Sequence, residues 1–554
     1  MTFPWLVLGV AGIAALSAGI AWRTRAYGPI AIAAGASILL LHGWSYFHYT
    51  GDDAYISYRY ARNLADGLGL VWNPGEHVEG YSNFLWVLTM AGADKAGADI
   101  VVTGRWVGFG LGVVVVGATY RLTADILPGE AGRIAGFAAA LLLATCGAFA
   151  IWSMAGLETS LFALLVTGGA LIHVREHAGM RPPVSGAAWA FASMTRPDGP
   201  LLFAVSAVFK AIEAALRVRA TPTSRGNAAL RECGWLLVWA AGFALLFIPY
   251  FVWRYGEYGY FFPNTYYAKM GAGIDQYDRG LRYVALFAQQ YAAWLLVLAP
   301  IAAALTSIRR IPVLYVATLA AVYIGYIGYA GGDSLVRFRL IAPVTPLMYA
   351  AIAAAGAALI DTIATATGRR AAAVATAATA AAALLLFTLQ ASALDNNIRV
   401  ERQAVEDRAD IGRWLAASVP SAASIAVIPA GAIPYESDLR TIDMLGINDE
   451  HIAHRDLPIG KFAAGHEKYD GAYVLDRQPD IIILEDTLTD SAWSREDYER
   501  LRIALIPARV DMLDQPRLWE EYEARSVELR EGSWFNLLVR REASDVLAQT
   551  QSPP

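Results

Sequence analysis

The sequence predicts a polytopic α-helical membrane protein with a C-terminal α/β domain outside the membrane. Of its 554 residues, 56% are hydrophobic and 17% are charged, and the mean hydropathy is +0.39; soluble domains carry about 25% charged residues. Residues 395–554 hold 30 acidic and 18 basic residues, a net charge of −12, whereas residues 1–394 hold 19 acidic and 26 basic ones, a net charge of +7. These differences predict a transmembrane module over 1–394 and a soluble domain over 395–554.

Apolar runs that predict about 11–12 membrane-spanning segments fill the first module. A spanning helix needs about 20 predominantly apolar residues. The runs are 4–22, 29–48, 100–123, 132–151, 157–174, 184–195 with 199–216, 233–253, 282–305, 311–330, 339–360 and 371–394. The pair of runs around Arg196-Pro197-Asp198-Gly199 predicts two short helices that meet at a polar turn.

Basic residues are concentrated in loops that fall on one side if the spans alternate. Because such loops stay in the cytoplasm, we predict a multi-pass protein of the cytoplasmic membrane whose C-terminal domain is extracytoplasmic. In the first run the arginines follow the apolar residues, the reverse of a cleavable signal peptide. The basic residues of these loops include Arg23, Arg25, Arg133, Arg175, Arg181, Arg309, Arg310, Arg369 and Arg370.

Residues 51–98 form the longest loop of this module, on the predicted outer side. Tyr55, Arg59 and Arg62 share one helix face, and this composition suits a helix at the level of the lipid headgroups. The apolar stretch 84–92 is too short to span and predicts a second interfacial helix.

The pair Asp52-Asp53 opens this loop, just past the outer end of a predicted helix. A carboxylate at the water boundary can act as general base toward a hydroxyl, and nearby cations can hold a phosphate by charge-assisted hydrogen bonds. The alternative is a solvated turn that keeps the helix end in water. Further polar residues at the outer helix ends include Glu158, Lys269, Asp333, Arg337 and Arg339.

Five motifs follow one another along the first module: Gly51-Asp52-Asp53-Ala54-Tyr55, Ser153-Met154-Ala155-Gly156-Leu157-Glu158, Arg196-Pro197-Asp198-Gly199, Tyr258 to Lys269, and Gly331-Gly332-Asp333-Ser334. In this order they resemble the GT-C superfamily of membrane glycosyltransferases, which use polyprenyl-phosphate sugars, and in particular the terminal arabinofuranosyltransferases of the actinobacterial cell wall. The resemblance covers roughly residues 40–345. The segment Gly80–Trp86 departs from the arabinosyl pattern, so the donor sugar stays open.

The resemblance implies an inverting glycosyltransferase that moves a sugar, arabinofuranose among the candidates, from a polyprenyl phosphate to a glycan or lipid hydroxyl. It implies that Asp53 is the catalytic base, with Asp52 as substitute. Glu158 and Asp333 then complete an acidic cleft, or only solvate helix ends. The pair Arg196 and Asp198 is interpreted as an internal ion pair or as part of the site. The candidates for binding the donor phosphate, each also able to contact lipid headgroups, are Arg59, Arg62, Lys269, Arg337 and Arg339.

Other functions are excluded or kept as alternatives. The soluble part is acidic, which excludes nucleic acid as a partner, and the sequence has no P-loop or dinucleotide motif. The sequence His173-Val174-Arg175-Glu176-His177 is interpreted as a chance match to a zinc-protease motif. We expect no cofactor and no metal site, although an acidic cleft can hold a divalent cation. A lipid-linked glycan transporter or flippase, and a non-catalytic cell-envelope scaffold, remain alternatives.

The C-terminal domain combines a charged helix over 396–418 with short apolar runs at 424–428, 480–484 and 534–539. This pattern predicts a small α/β domain. The segment Ile442–Asp449 is either an ordinary strand and loop or a contact for an acceptor glycan.

Overall fold

The computed structural model describes residues 3–44, 46, 48–179, 182–221, 224–271, 273–364, 395–504 and 506–543. The predicted apolar run 371–394 and the arginines at 181, 369 and 370 lie outside the described residues.

The N-terminal part is a bundle of helices whose positions follow the predicted apolar runs. They are α1 (Phe3–Thr24), α2 (Tyr27–Trp44), α3 (Asp52–Ala65), α4 (Phe84–Lys95), α5 (Ile100–Ile126), α6 (Gly129–Thr145), α7 (Gly147–Trp152), α8 (Thr159–His177), α9 (Ser185–Thr195), α10 (Gly199–Arg219), α11 (Arg225–Tyr258), α12 (Asn264–Lys269), α13 (Ile274–Tyr291), α14 (Leu298–Leu305), α15 (Arg310–Tyr329) and α16 (Thr345–Ala364). The 3₁₀ turns of this part are Ala293–Val297, Val336–Phe338 and Ala342–Val344.

Six of the described helices, α1, α2, α5, α11, α15 and α16, are long and apolar enough to cross a membrane. Helix α11 faces outward, since only 6% of its apolar window is buried, as expected of a helix in contact with lipid. The predicted single run 282–305 is instead bent by 84° between α13 and the helical segment 293–305. The chain turns there because Ala292 takes a left-handed conformation with φ 56°.

The two ends of the bundle differ in character. At one end, the basic loops form ion pairs between neighbouring helices, among them Arg175 with Asp125 at 2.7 Å and Arg217 with Glu232 at 3.2 Å. At the other end lie α3, α4 and the C-terminal domain. At Gly108 of α5 a Cβ would lie 2.4 Å from the carbonyl oxygen of Ser153, so glycine there lets the polar loop after α7 approach the helix closely.

The C-terminal domain is an α/β sandwich, as predicted. Its sheet has the order β2-β1-β3-β5-β4, with β1 parallel to β2 and β3, and β5 antiparallel to β3 and β4. The strands are β1 (Ser424–Val427), β2 (Arg440–Asp443), β3 (Ile481–Ile483), β4 (Tyr522–Arg530) and β5 (Ser533–Arg540). The helices are α17 (Asp395–Ser418), α18 (Ala432–Ser437), α19 (Glu450–Ala453), α20 (Gly471–Asp476), α21 (Arg495–Glu499), α22 (Pro507–Leu513) and α23 (Pro516–Glu521), with a 3₁₀ turn at Arg500–Ala504.

Side chains of the central strands alternate between two apolar clusters, as the pleat requires. Ile481 and Ile483 pack with Leu415 of α17 on one face, while Ile482 packs with Met512 of α22 on the other. The sheet is therefore covered on both sides, and α17 and α18 connect it to the start of α3.

Candidate functional site

A cleft of about 170 Å³ lies where the polar end of the bundle meets the C-terminal domain. A cavity of roughly 150 Å³ holds a single six-membered ring, so the cleft has room for about one sugar unit. The charged residues that line it are Asp53, Glu158, Arg196, Asp198, Lys269, Asp333 and Arg339. Three cations and four carboxylates thus surround a small volume.

Asp53 lies in the first turn of α3, where the partial positive charge of the helix end favours a carboxylate. Arg339 donates a hydrogen bond of 2.6 Å to its Oδ2 atom. The Asp53 side chain keeps 29% of its surface exposed, against 10% for Arg339. Burial would raise the pKa of Asp53, but the nearby charges of Arg339 and Lys269 outweigh it and lower the pKa to about 2.

Arg339 joins Asp53 to a second carboxylate, Asp333, to which it donates hydrogen bonds of 2.9 and 3.2 Å. Burial opposes the charge of Arg339, but the two carboxylates outweigh it and raise its pKa. Gly331 and Gly332, with φ of 91° and 76°, form the turn that leads into Asp333. We define Asp53, Arg339 and Asp333 as the cleft triad.

A second charged group forms the opposite wall of the cleft. Arg196 donates to Glu158 at 2.8 Å and to Asp198 at 3.1 Å. Asn83 donates to the other oxygen of Glu158 at 2.9 Å, and Tyr323 donates to Asp198 at 2.6 Å. The predicted ion pair between Arg196 and Asp198 is therefore present, and it also belongs to the cleft wall.

Asp52, one residue before Asp53, points away from the cleft. Its Oδ1 atom accepts a hydrogen bond of 3.1 Å from the backbone N–H of Ala432 and lies 3.7 Å from Arg408. Arg408 donates at 2.6 Å to Asp486. Burial of Asp52 outweighs these contacts and raises its pKa. We define Asp52, Arg408 and Asp486 as the docking triad, because it joins α3 to the C-terminal domain.

Arg59 and Arg62 also serve this junction, which corrects the predicted headgroup position of their helix face. Arg59 is buried and donates to the carbonyl oxygens of Trp72 at 2.8 Å, Pro434 at 2.5 Å and Leu439 at 2.8 Å. Arg62 donates to the Tyr435 carbonyl at 2.8 Å and stacks on its ring. The C-terminal domain takes the place of the lipid surface, because its carbonyl groups satisfy these guanidinium groups.

The structure thus brings five of the nine predicted site residues to the cleft: Asp53, Glu158, Lys269, Asp333 and Arg339. It places Asp52, Arg59 and Arg62 at the domain junction. Arg337 takes a left-handed conformation, φ 63°, in a kinked turn and does not line the cleft. Within the described part of the chain, no group of three or more His, Cys, Asp or Glu residues is arranged to hold a metal ion.

The C-terminal domain contributes two lining residues that the motifs did not indicate, Ile447 and Ala464. At Gly465 a Cβ would lie 2.9 Å from Cε of Lys269, so this segment packs directly on the lysine. Of these two residues, Ile447 lies in the segment Ile442–Asp449, for which the sequence leaves open a contact with an acceptor glycan. The sequence does not indicate Ala464 as a site residue, because a small apolar residue in a loop belongs to no distinctive motif.

Comparisons with known proteins agree with this architecture. The Cupriavidus metallidurans protein ArnT, crystallised with bound undecaprenyl phosphate, superposes with a TM-score of 0.54 at 14% identity, covering 92% of this chain and 97% of that one. Its apo form gives 0.53 at 14% identity, covering 94% and 99%. The chain has the ArnT fold. The predicted GT-C architecture is confirmed at the level of the fold.

Two further comparisons rest on sequence similarity. A terminal β-(1→2)-arabinofuranosyltransferase of Mycobacterium tuberculosis is 26% identical over 306 residues, which cover 50% of this chain and 44% of the relative. The chain thus matches less than half the length of this curated relative, and the predicted resemblance is confirmed over that part. Residues 396–536 match a family described as a domain of unknown function, DUF8728.

Proposed function

We propose that the protein is a glycosyltransferase that moves a sugar from a polyprenyl phosphate to a hydroxyl group of a glycan or lipid. One observation carries this proposal: the cleft places the carboxylate of Asp53 beside Arg339 and Lys269, at the end of a membrane bundle. A base for the acceptor and cations for a phosphate leaving group are what this transfer requires.

In the proposed reaction, the acceptor oxygen attacks the anomeric carbon as the bond from that carbon to the phosphate oxygen breaks. The hydroxyl proton passes to Asp53, and the electron pair leaves with the polyprenyl phosphate. A single displacement of this kind inverts the anomeric configuration. Arg339 and Lys269 stabilise the charge that develops on the departing phosphate, so protein cations supply this role without a metal or an organic cofactor.

The low pKa of Asp53 gives the donor phosphate a second role. An aspartate held at a pKa of about 2 by Arg339 and Lys269 is a weak base. A phosphate that binds the same cations competes with Asp53 for them and reduces their effect on its carboxylate. Donor binding then raises the basicity of Asp53, so proton abstraction is favoured only when the donor is in place.

We further propose that the cleft lies on the outer face of the cytoplasmic membrane and that the chain divides into its two parts at residue 395. The basic loops gather at the opposite end of the bundle, which supports a cytoplasmic location for that end. A lipid-linked donor can then reach the cleft from the membrane, and a cell-envelope acceptor can reach it from the C-terminal domain.

Purified protein assayed with a panel of polyprenyl-phosphate sugars tests the proposal. We expect transfer from at least one donor, and a loss of about a thousandfold in Asp53→Asn, within the range for removing a general base. Asp66→Asn is the matched control, because Asp66 is an exposed aspartate at the other end of α3. Transfer that survives in Asp53→Asn, or no transfer from any donor, would contradict the proposal.

A further inference from the structure

A second depression, of about 660 Å³, opens beside the cleft between the outer loop and the C-terminal domain. We name this depression the groove; the residues that line it are Glu76, His77, Val78, Asn448, Asp449, Glu450, His451, His454, Arg455, Tyr473 and Arg477. We propose that the groove binds the acceptor as an extended, uncharged glycan chain. This inference rests on the proposed function, because it makes the groove the acceptor side of the same site.

The groove and the cleft share one thin wall. Val78 and Asn448 line the groove, whereas Gly80 and Ile447 line the cleft. At Gly80 a Cβ would lie 1.8 Å from Oδ1 of Asn448, so the two segments touch where only glycine fits. Val78 and Gly80 are two residues apart, and two residues span at most about 7 Å. A glycan chain bound in the groove therefore needs to cross only this short distance to place its end in the cleft.

Two exposed histidines form aromatic ledges along the groove. The His451 ring, whose side chain is 49% exposed, stacks on Tyr473 at 4.1 Å between centroids. The His454 ring stacks on Tyr267 at 4.2 Å. Aromatic faces of this kind pack against the C–H faces of sugar rings. Nε2 of His451 lies 2.9 Å from Oδ2 of Asp470, so this ring is held in place by the carboxylate.

Polar groups of the groove are fixed in place before any ligand arrives. Arg477 lies 3.0 Å from Glu76 and 3.1 Å from Asp449, and Tyr473 donates to Asp449 at 3.0 Å. Arg455 pairs with Asp470 at 2.6 Å. Such a network offers both donors and acceptors in a preorganised arrangement, which favours binding.

The charge of the groove favours a neutral polyhydroxyl ligand. The three carboxylates Glu76, Asp449 and Glu450 are nearly balanced by the two guanidinium groups of Arg455 and Arg477. A nucleic acid or an anionic lipid requires an excess of cations. Sugar hydroxyls both donate and accept hydrogen bonds, which matches this mixed lining.

Calorimetric titration of the full-length protein with hexasaccharides of arabinofuranose, galactofuranose, mannose and glucose tests the inference. We expect one hexasaccharide to bind and the double variant His451→Ala/His454→Ala to weaken that binding about tenfold, as two lost aromatic contacts predict. Both histidines are exposed, so the double variant should fold. Arg525→Ala, at an exposed arginine of β4, should bind as wild type does.

The outcomes separate the groove from the proposed function. Unchanged affinity in the double variant, or binding of none of the four hexasaccharides, overturns the groove even if the enzyme transfers sugar to a short alkyl glycoside. Hexasaccharide binding that depends on the two histidines, without transfer from any donor, overturns the acceptor role and the transferase proposal together. If the double variant transfers sugar with a raised KM for the hexasaccharide and an unchanged KM for the alkyl glycoside, the result supports acceptor binding in the groove.

Discussion

The cleft triad and the docking triad begin at adjacent residues of α3 and have the same composition, two aspartates bridged by one arginine. In the cleft triad, Arg339 lies 2.6 Å from Asp53, and the pKa of Asp53 falls. In the docking triad, Arg408 lies 3.7 Å from Asp52 and 2.6 Å from Asp486, and burial raises the pKa of Asp52. The same residue types therefore give opposite pKa shifts in the two α3 aspartates, because the arginine of the cleft triad lies closer to Asp53 than that of the docking triad lies to Asp52.

The largest expected difference between the triads lies in transfer activity. Arg339→Ala should lower the transfer rate about a thousandfold, roughly 4 kcal/mol, because it removes the partner of Asp53 and the cation that we propose binds the donor phosphate. Arg408→Ala, the matched variant, should lower it about tenfold or less, since Arg408 does not line the cleft. Initial transfer rates at saturating acceptor measure the loss of activity in both variants. Equal losses in the two variants would show that the triads do not have separate roles.

The junction around the docking triad should depend most on Arg59. Arg59→Ala removes three hydrogen bonds from a buried charged group to carbonyl oxygens, so we expect the free energy of unfolding to fall by about 3 kcal/mol. Chemical denaturation in detergent measures this loss. Arg402→Ala, at an exposed arginine of α17 paired with Glu406 of the same helix, should cost less than about 0.5 kcal/mol. A small loss in Arg59→Ala would contradict the docking role.

Acid titration should distinguish the two aspartates. The pKa of Asp53 is lowered to about 2 in the folded state. Its ion pair therefore stabilises the folded protein fully at a pH above the pKa of an unfolded aspartate. This stabilisation is lost as the pH falls toward the pKa of the folded state. Wild type should exceed Asp53→Asn by roughly 2 kcal/mol at neutral pH, and the difference should shrink below about pH 4. Unfolding free energies between pH 7 and pH 3 measure it; a constant difference would contradict the assignment.

The smallest effect is expected for Asp52→Asn. Because the pKa of Asp52 is raised, the folded state favours its uncharged form, and an amide oxygen can still accept from the Ala432 N–H. We expect unfolding free energy and transfer activity to change by less than about 1 kcal/mol, or about fivefold. Denaturation and the transfer assay check both values. A loss as large as that of Asp53→Asn would restore Asp52 as a substitute base.

Local signals predicted the helices and the central aspartate. Residues close together in the chain form each of these signals: the acidic pair, the apolar stretch at 84–92 and the apolar runs of the strands. The structure has α3, α4, β1, β3 and β5 at these positions.

Partners far along the chain could not be predicted. Arg59 and Arg62 were expected at the lipid surface, because nothing near them shows that residues 434–439 cover their helix. The bend at Ala292 was missed because an apolar run does not reveal a residue in a left-handed conformation. Tertiary contacts decide such features, while local composition does not.

The cleft has walls from segments more than 400 residues apart, since Asp53 faces it from α3 and Ala464 closes it from the C-terminal domain. During synthesis, the helical bundle therefore emerges with an incomplete site. Lys269 and Arg339 emerge with this bundle, and the last wall is added only when translation has passed residue 464 and the domain has docked through Arg59 and Arg408. A chain that ends before residue 464 would thus hold Asp53 in a cleft that lacks one of its walls.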